Sequence, residues 1–201
     1  MKANKYSKST FPAITLIEFS SIAAGIAAGD AMVKKAPLDL VKAGTAHSGK
    51  YLVLVGGQVA AVEESYSEGM KVGREYLIDD VILPDIHADV LKAILGHKIA
   101  NKYESLGVIE TSTVAANIKA ADAAVKGTDV DILEIRLADG IGGHGLTFFG
   151  GKVEDIQAAI EIGISRIKEK EKLINKIVIP RIDSLMGEQL DTASRFFGGS
   201  E

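Results

Sequence analysis

Cysteine and tryptophan are absent from this chain, and proline occurs only four times in 201 residues. Without cysteine there can be no disulfide, no thiolate-held zinc and no cysteine-ligated iron–sulfur cluster, and a reducing compartment is compatible with the chain. Aromatic residues make up only 5%, too few for an aromatic-lined ligand pocket. No stretch approaches the ~18 apolar residues of a membrane span. Lys2, Lys5 and Lys8 near the start are followed by no apolar segment of signal-peptide length. Basic residues are not in excess either: 23 Lys and Arg stand against 27 Asp and Glu, a net charge of −4 with no long basic run. The electrostatic footprint of a nucleic-acid binder is missing. What the chain does have is 47% hydrophobic residues, enough for buried cores, and 21 glycines. Small residues in such numbers favour closely packed helices.

The chain also repeats itself. Ile17-Glu18-Phe19-Ser20-Ser21-Ile22-Ala23-Ala24 returns as Ile109-Glu110-Thr111-Ser112-Thr113-Val114-Ala115-Ala116, and Asp30-Ala31-Met32-Val33-Lys34 returns as Asp122-Ala123-Ala124-Val125-Lys126. Both pairs share one offset, 110 − 18 = 92 and 122 − 30 = 92. A period this long describes a duplicated domain rather than a solenoid, whose units are typically ~20–50 residues. Two similar units in one chain can stand in for two subunits, and three chains then make a ring of six wedges.

Each copy predicts the same elements. Ala13–Phe19 reads as a strand, with Ser20 or Ser21 capping the following helix. Ile22, Ile26, Gly29 and Val33 fall on one helical face, as do Val114, Ile118, Ala121 and Val125. Pro37 and Gly127 end the two helices. Second strands are expected over Leu38–Ala46 and Asp131–Ala138, and third strands over Tyr51–Val55 and Leu146–Phe149. Gly-Gly-x-Val then opens a second helix at Gly56 and at Gly150, offset 94 (150 − 56). Fourth strands run Leu77–Leu83 and Leu173–Ile179, closed by Pro84 and Pro180 at offset 96 (180 − 84). The drift places two small insertions in loops of the second copy, where they cost least. Each copy is thus β-α-β-β-α-β, the ferredoxin-like arrangement. Short helices are expected over Ile86–Leu95 and Asp183–Phe197, and the domains over residues 12–98 and 104–197.

These segments resemble the bacterial microcompartment shell proteins, specifically the tandem-domain, trimer-forming class in unpermuted strand order. The likeness runs from about Ala13 to Leu190. It rests on Ile17-Glu18…Asp30-Ala31-Met32-Val33-Lys34, the Ser48-Gly49 turn, the Gly-Gly-x-Val helix entry and Ile179-Pro180-Arg181. Leu83-Pro84-Asp85-Ile86-His87 and Asp139-Gly140-Ile141-Gly142-Gly143 are similar to the propanediol-utilisation type of that class. The resemblance implies an α+β fold of two fused shell domains and a homotrimeric, pseudohexameric disc. Such discs tile edge to edge with other shell proteins around encapsulated enzymes, in the cytoplasm, with no nucleic-acid or membrane partner. It implies a central pore lined by Thr45, Ala46, His47, Ser48 and Gly49 and by Gly140, Ile141, Gly142 and Gly143. It places Lys34, Lys126 and Arg181 at tile edges, although the first copy has Asp85 where the second has Arg181.

In the propanediol type, the position of His47 is a cysteine whose three copies hold an iron–sulfur cluster, which this chain cannot form. Three His47 imidazoles around a threefold axis would suit zinc or another divalent ion. The competing reading is a polar, hydrated pore lining with no cofactor. The glycines at 140, 142 and 143 lack the spacing and the helix of a dinucleotide-binding loop. Lys50 and His144 are twin positions (144 − 50 = 94) and read as rim or turn residues. Glu18, Glu110, Asp30 and Asp122 read as structural hydrogen-bond or interface partners, and Lys168–Lys172 as a solvated charged face. No nucleophile, acid–base pair or metal motif appears within a unit, so an enzyme is not expected. The leading expectation is a shell tile with a pore for small metabolites. The alternatives are a metal-carrying or electron-transfer tile using His47, or a ligand-binding regulatory trimer.

Overall fold

The computed structural model describes residues 11–100 and 102–192. The chain divides into two compact units after Ala88. The segment 89–98 is therefore grouped with the second unit, whereas the repeat-based boundary assigns it to the first. Phe196, Phe197 and the end of the expected last helix lie outside the described residues.

In the first unit the order is β1 (Ala13–Phe19), α1 (Ile22–Lys35), β2 (Leu40–Ala46), β3 (Lys50–Gly57), α2 (Val59–Gly73) and β4 (Leu77–Leu83), followed by α3 (Ala88–Ile94) where the units divide. The sheet runs β2-β3-β1-β4 with every pairing antiparallel. Every residue of β1 is buried, which explains its nearly continuous apolar sequence. Its buried Thr15 hydroxyl donates to Val81 O at 2.8 Å, so the polar group is satisfied. The Ser21 hydroxyl caps α1 by accepting from Ala24 N–H at 3.3 Å. Lys34 and Lys35 occupy the negative end of the helix dipole. Ile17, Phe19, Ala28, Met32, Val53 and Val55 form the core between sheet and helices. Full burial of each of these side chains larger than alanine contributes about 1.5–3 kcal/mol.

The second unit repeats the order as β5 (Ser105–Thr111), α4 (Val114–Gly127), β6 (Asp131–Leu137), β7 (Gly145–Gly151), α5 (Val153–Ser165), β8 (Leu173–Ile179) and α6 (Ser184–Thr192). Its sheet order is β6-β7-β5-β8. Even the irregularity is duplicated: β1 shifts register between Glu18 and Phe19, and β5 between Glu110 and Thr111. The strand registers also locate the insertions. Ala46 pairs with Lys50, and Ala138 N–H donates to His144 O at 2.8 Å, so the extra residues of the first insertion lie in the turn 139–143. The second falls between α5 and β8, where the charged run Lys168–Lys172 forms exposed loop and a 3-10 turn instead of a helix end. β6 carries a bulge at Leu133 that strand alternation does not predict.

Twin positions have exchanged bulk across the helix–sheet contact. In the first unit Gly25 lies against Tyr51, and a Cβ at Gly25 would come within 2.6 Å of the ring. In the second unit the side chain is on the helix: Asn117 lies against Gly145. Asn117 donates to Ile109 O at 3.2 Å and accepts from the Thr147 hydroxyl at 2.5 Å, both inside the protein. Phe19, Tyr51 and Val53 thus have Thr111, Gly145 and Thr147 as counterparts (offsets 92, 94 and 94). An apolar cluster on one side becomes a satisfied polar network on the other, as close packing of a fixed volume requires.

The helical face of Ile22, Ile26, Gly29 and Val33 is buried only at Gly29. In α1 the buried residues are Gly25, Ala28, Gly29 and Met32, while Ile22, Ile26 and Val33 are exposed. In α4 the corresponding Val114, Ile118 and Val125 are all buried. The apolar periodicity of α1 reports a second stripe beside the one that meets its own sheet.

Candidate functional site: two interstrand turns and their ion pairs

The β2–β3 turn is the three residues His47–Gly49, with Ser48 at φ 66° and Gly49 at φ 72°. Two successive left-handed residues reverse the chain in minimal length, and glycine supplies one of them without strain. Thr45, His47, Ser48 and Gly49 are exposed and Ala46 is half-buried. The β6–β7 turn is longer and built differently. Ala138 sits at φ 60°, and Gly140, Gly142 and Gly143 also have positive φ. Its neck is closed by Ala138 N–H to His144 O (2.8 Å) and Gly143 N–H to Ala138 O (3.0 Å), and His144 N–H donates to Ile141 O (3.2 Å). Gly140 and Gly142 are exposed, Ile141 is half-buried and Gly143 is buried. The expected turn residues therefore share the equivalent place in each unit, the end of the second strand and the start of the third.

Beneath each turn lies an ion pair that sequence reading missed. Glu18 is fully buried, and Lys50 Nζ lies 3.3 Å from its Oε2. The second unit places His144 Nδ1 3.5 Å from Glu110 Oε1, with side chains 40% and 38% exposed. The signal was present in the repeat, since the acid recurs at offset 92 and a basic residue at offset 94. What periodicity does not show is that the strand entering the helix and the strand leaving the turn present these side chains to each other. Neighbouring positions follow suit: Asp79 pairs with Glu18 across β4, and Asn175 with Glu110 across β8.

The remaining expected residues lie away from the turns in sequence. Lys34 ends α1 and is held by Asp30 at 2.6 Å, one helical turn back. Lys126 ends α4 and is held by the buried Asp122 at 2.7 Å. The acids that interrupt both helices thus orient the lysines. Arg181 follows β8, is exposed, and lies 4.0 Å from Glu104. Tyr66 donates to Asp80 at 2.8 Å, and burial together with that carboxylate pushes its phenol up to about 12. Among the described residues no cluster of three or more metal-ligating side chains occurs within the chain. No helix among them is long and apolar enough to cross a membrane. A cysteine-held cluster does not fit the first turn, since His47 stands there and the chain has no cysteine.

Comparison with known proteins agrees with the duplicated architecture. The BMC domain model matches twice, over residues 13–86 and 105–182. The chain is 39% identical over 178 residues to the bacterial microcompartment shell protein PduT of Citrobacter freundii, covering 89% of this chain and 97% of that protein. It is 25% identical to the carboxysome assembly protein CcmO of a Synechocystis strain, covering 94% of this chain and 68% of that one. A solved microcompartment protein from Desulfitobacterium hafniense superposes with a TM-score of 0.78 at 38% identity, covering 89% of this chain and 99% of the other. A fused permuted hexameric shell protein of the RMM microcompartment shares the fold at TM-score 0.56 and 22% identity, with 77% and 82% covered. The chain belongs to the BMC-domain family of bacterial microcompartment shell proteins, with two such domains in tandem.

Proposed function

We propose that the chain works as a homotrimeric tile of a cytoplasmic microcompartment shell, non-catalytic, in which three copies form a pseudohexamer around a pore. The observation that carries this reading is the unequal burial of twin helices. Ile22, Ile26 and Val33 of α1 are exposed, whereas the same positions of α4 are buried. Ile22, Ile26 and Val33 make an exposed apolar stripe along one helix, and a contiguous surface of this kind marks an interface. The occupant is a second copy of the chain. Head-to-tail contacts of this heterologous type close into a ring when the rotation allows, and 3 copies of 2 units give six wedges.

In that ring the turns 45–49 and 140–143 line the opening, alternating around the axis, and Lys34, Lys126 and Arg181 lie at the perimeter facing other shell proteins. A pore of glycine backbone, hydroxyl and imidazole passes small polar metabolites by diameter and hydrogen bonding. Negative-stain electron microscopy of the purified protein tests the reading. Threefold discs with a central depression are expected, and monomers at every concentration would count against it.

The metal reading of His47 belongs to the same ring, since one copy supplies one imidazole and three are needed. It remains a proposal with its own test. Untagged protein with zinc bound at one ion per trimer, lost in His47→Ala, would support it; equal metal content in both proteins would leave His47 as pore lining.

A further inference from the structure

We propose that His144 and Glu110 form a proton-sensitive latch on the 139–143 turn, where the first unit has a permanent latch made of Lys50 and Glu18. The two pairs occupy twin positions, yet they differ in kind. Lysine stays charged throughout the physiological range, while imidazole changes charge between pH 5 and 8. The exchange is matched on the acidic side. Lys50 lies on the sheet face that carries Glu18 and Asp79, two carboxylates, whereas His144 lies against Glu110, whose neighbour across β8 is the neutral Asn175. Both the permanent cation and one of its anions have been replaced by groups of lower charge.

The geometry ties this pair to the turn. His144 closes the neck through both its carbonyl, which accepts from Ala138 N–H, and its N–H, which donates to Ile141 O. Its side chain lies 3.5 Å from Glu110 Oε1 on β5. Neck and turn together hold four residues at positive φ, and Ala138, the non-glycine among them, has a backbone that needs support to persist. Protonation adds a charge-assisted contact to Glu110 at the hinge residue; deprotonation removes the attraction and leaves the turn less ordered. Other charged groups stand on the elements around the pair. They are Arg136, on the same sheet face beyond Leu146, Asp139 in the turn, and Lys172, whose ammonium is held by Glu169 at 3.0 Å.

The latch stands on the second unit alone; its consequence, a solute passage that tightens in acid, rests on the pore reading above. Amide hydrogen exchange of residues 139–143 in the full-length protein tests it, compared at about pH 5.5 and about pH 7.5 with the intrinsic exchange rate divided out. Protection is expected to be about two- to fivefold greater at the lower pH, the range of a partly exposed ion pair. His144→Lys should show the greater protection at both values, and Glu110→Gln should abolish the difference. His144→Gln, which keeps a polar side chain, should behave at both values like the wild type at high pH. Equal wild-type protection at the two values, or a pH difference that survives in Glu110→Gln, would overturn the latch. Since exchange is read in monomer or trimer alike, its failure is separable from failure of the pore reading.

Discussion

At the scale of single residues, the same acid in the same strand carries different weight in the two units. Glu18 is fully buried and Lys50 is its near-buried cation. Removing one member of such a pair leaves an uncompensated charge in low dielectric. Lys50→Met is therefore expected to cost about 3–5 kcal/mol in chemical denaturation of the first unit. His144→Met, whose partner is partly solvated, should cost at most about 1 kcal/mol. Equal effects would refute the assignment. Tyr66 offers a pH test with a definite sign. Burial, then the hydrogen bond to Asp80, raises its folded-state phenol from 10.0 to about 12. A raised value favours the protonated form in the folded state. The stabilisation is complete below pH 10 and is lost as pH rises through about 12. The Tyr103 phenol is raised as well, by its hydrogen bond to Asp131, so an alkaline tyrosinate titration should show late phenols of which only that of Tyr66 moves down in Asp80→Asn; no movement would mean that burial alone is responsible.

At the scale of elements, the twin helices make opposite predictions for the same substitution. Ile26→Asp lies on the exposed stripe of α1 and should leave both units folded while dissociating the assembly in sedimentation. Ile118→Asp, at the buried twin position, should unfold the second unit, because an unpaired carboxylate there is far costlier. A stable assembly in Ile26→Asp would remove the stripe from the interface. These helices also show what sequence makes legible. Strand and helix positions followed from alternation, caps and proline, and β1, β4 and β8 fall on the expected residues. Duplication supplied the order and the insertions. It did not reveal the bulge at Leu133 or the Gly25–Tyr51 and Asn117–Gly145 exchange, because those depend on which residues meet across the sheet and helix. Periodicity likewise gave a true apolar face in α1 but not what covers it. Of the candidate site, the turns were legible from glycine and register. The ion pairs beneath them were not, since Glu18 and Lys50 are far apart in the chain and adjacent only once β1 and β3 pair.

At the scale of the whole molecule, a duplicated chain has a freedom that six identical subunits lack: its two turns can diverge while the frame is kept. Here one turn has three residues and an imidazole, and the other is longer and glycine-rich. The residues proposed for the perimeter diverge too, with Arg181 in one copy and Asp85 in the other. A ring of such chains alternates in lining and in edge, so threefold rather than sixfold selectivity is expected. The absence of cysteine permits a clean test of where these residues lie. Spin labels at a single Ser48→Cys, and separately at a single Lys34→Cys, report the separation between copies by pulsed electron resonance. The account predicts a trimer whose Ser48 labels are mutually close and whose Lys34 labels are far apart. Monomeric protein, or Ser48 labels farther apart than those at Lys34, would contradict it.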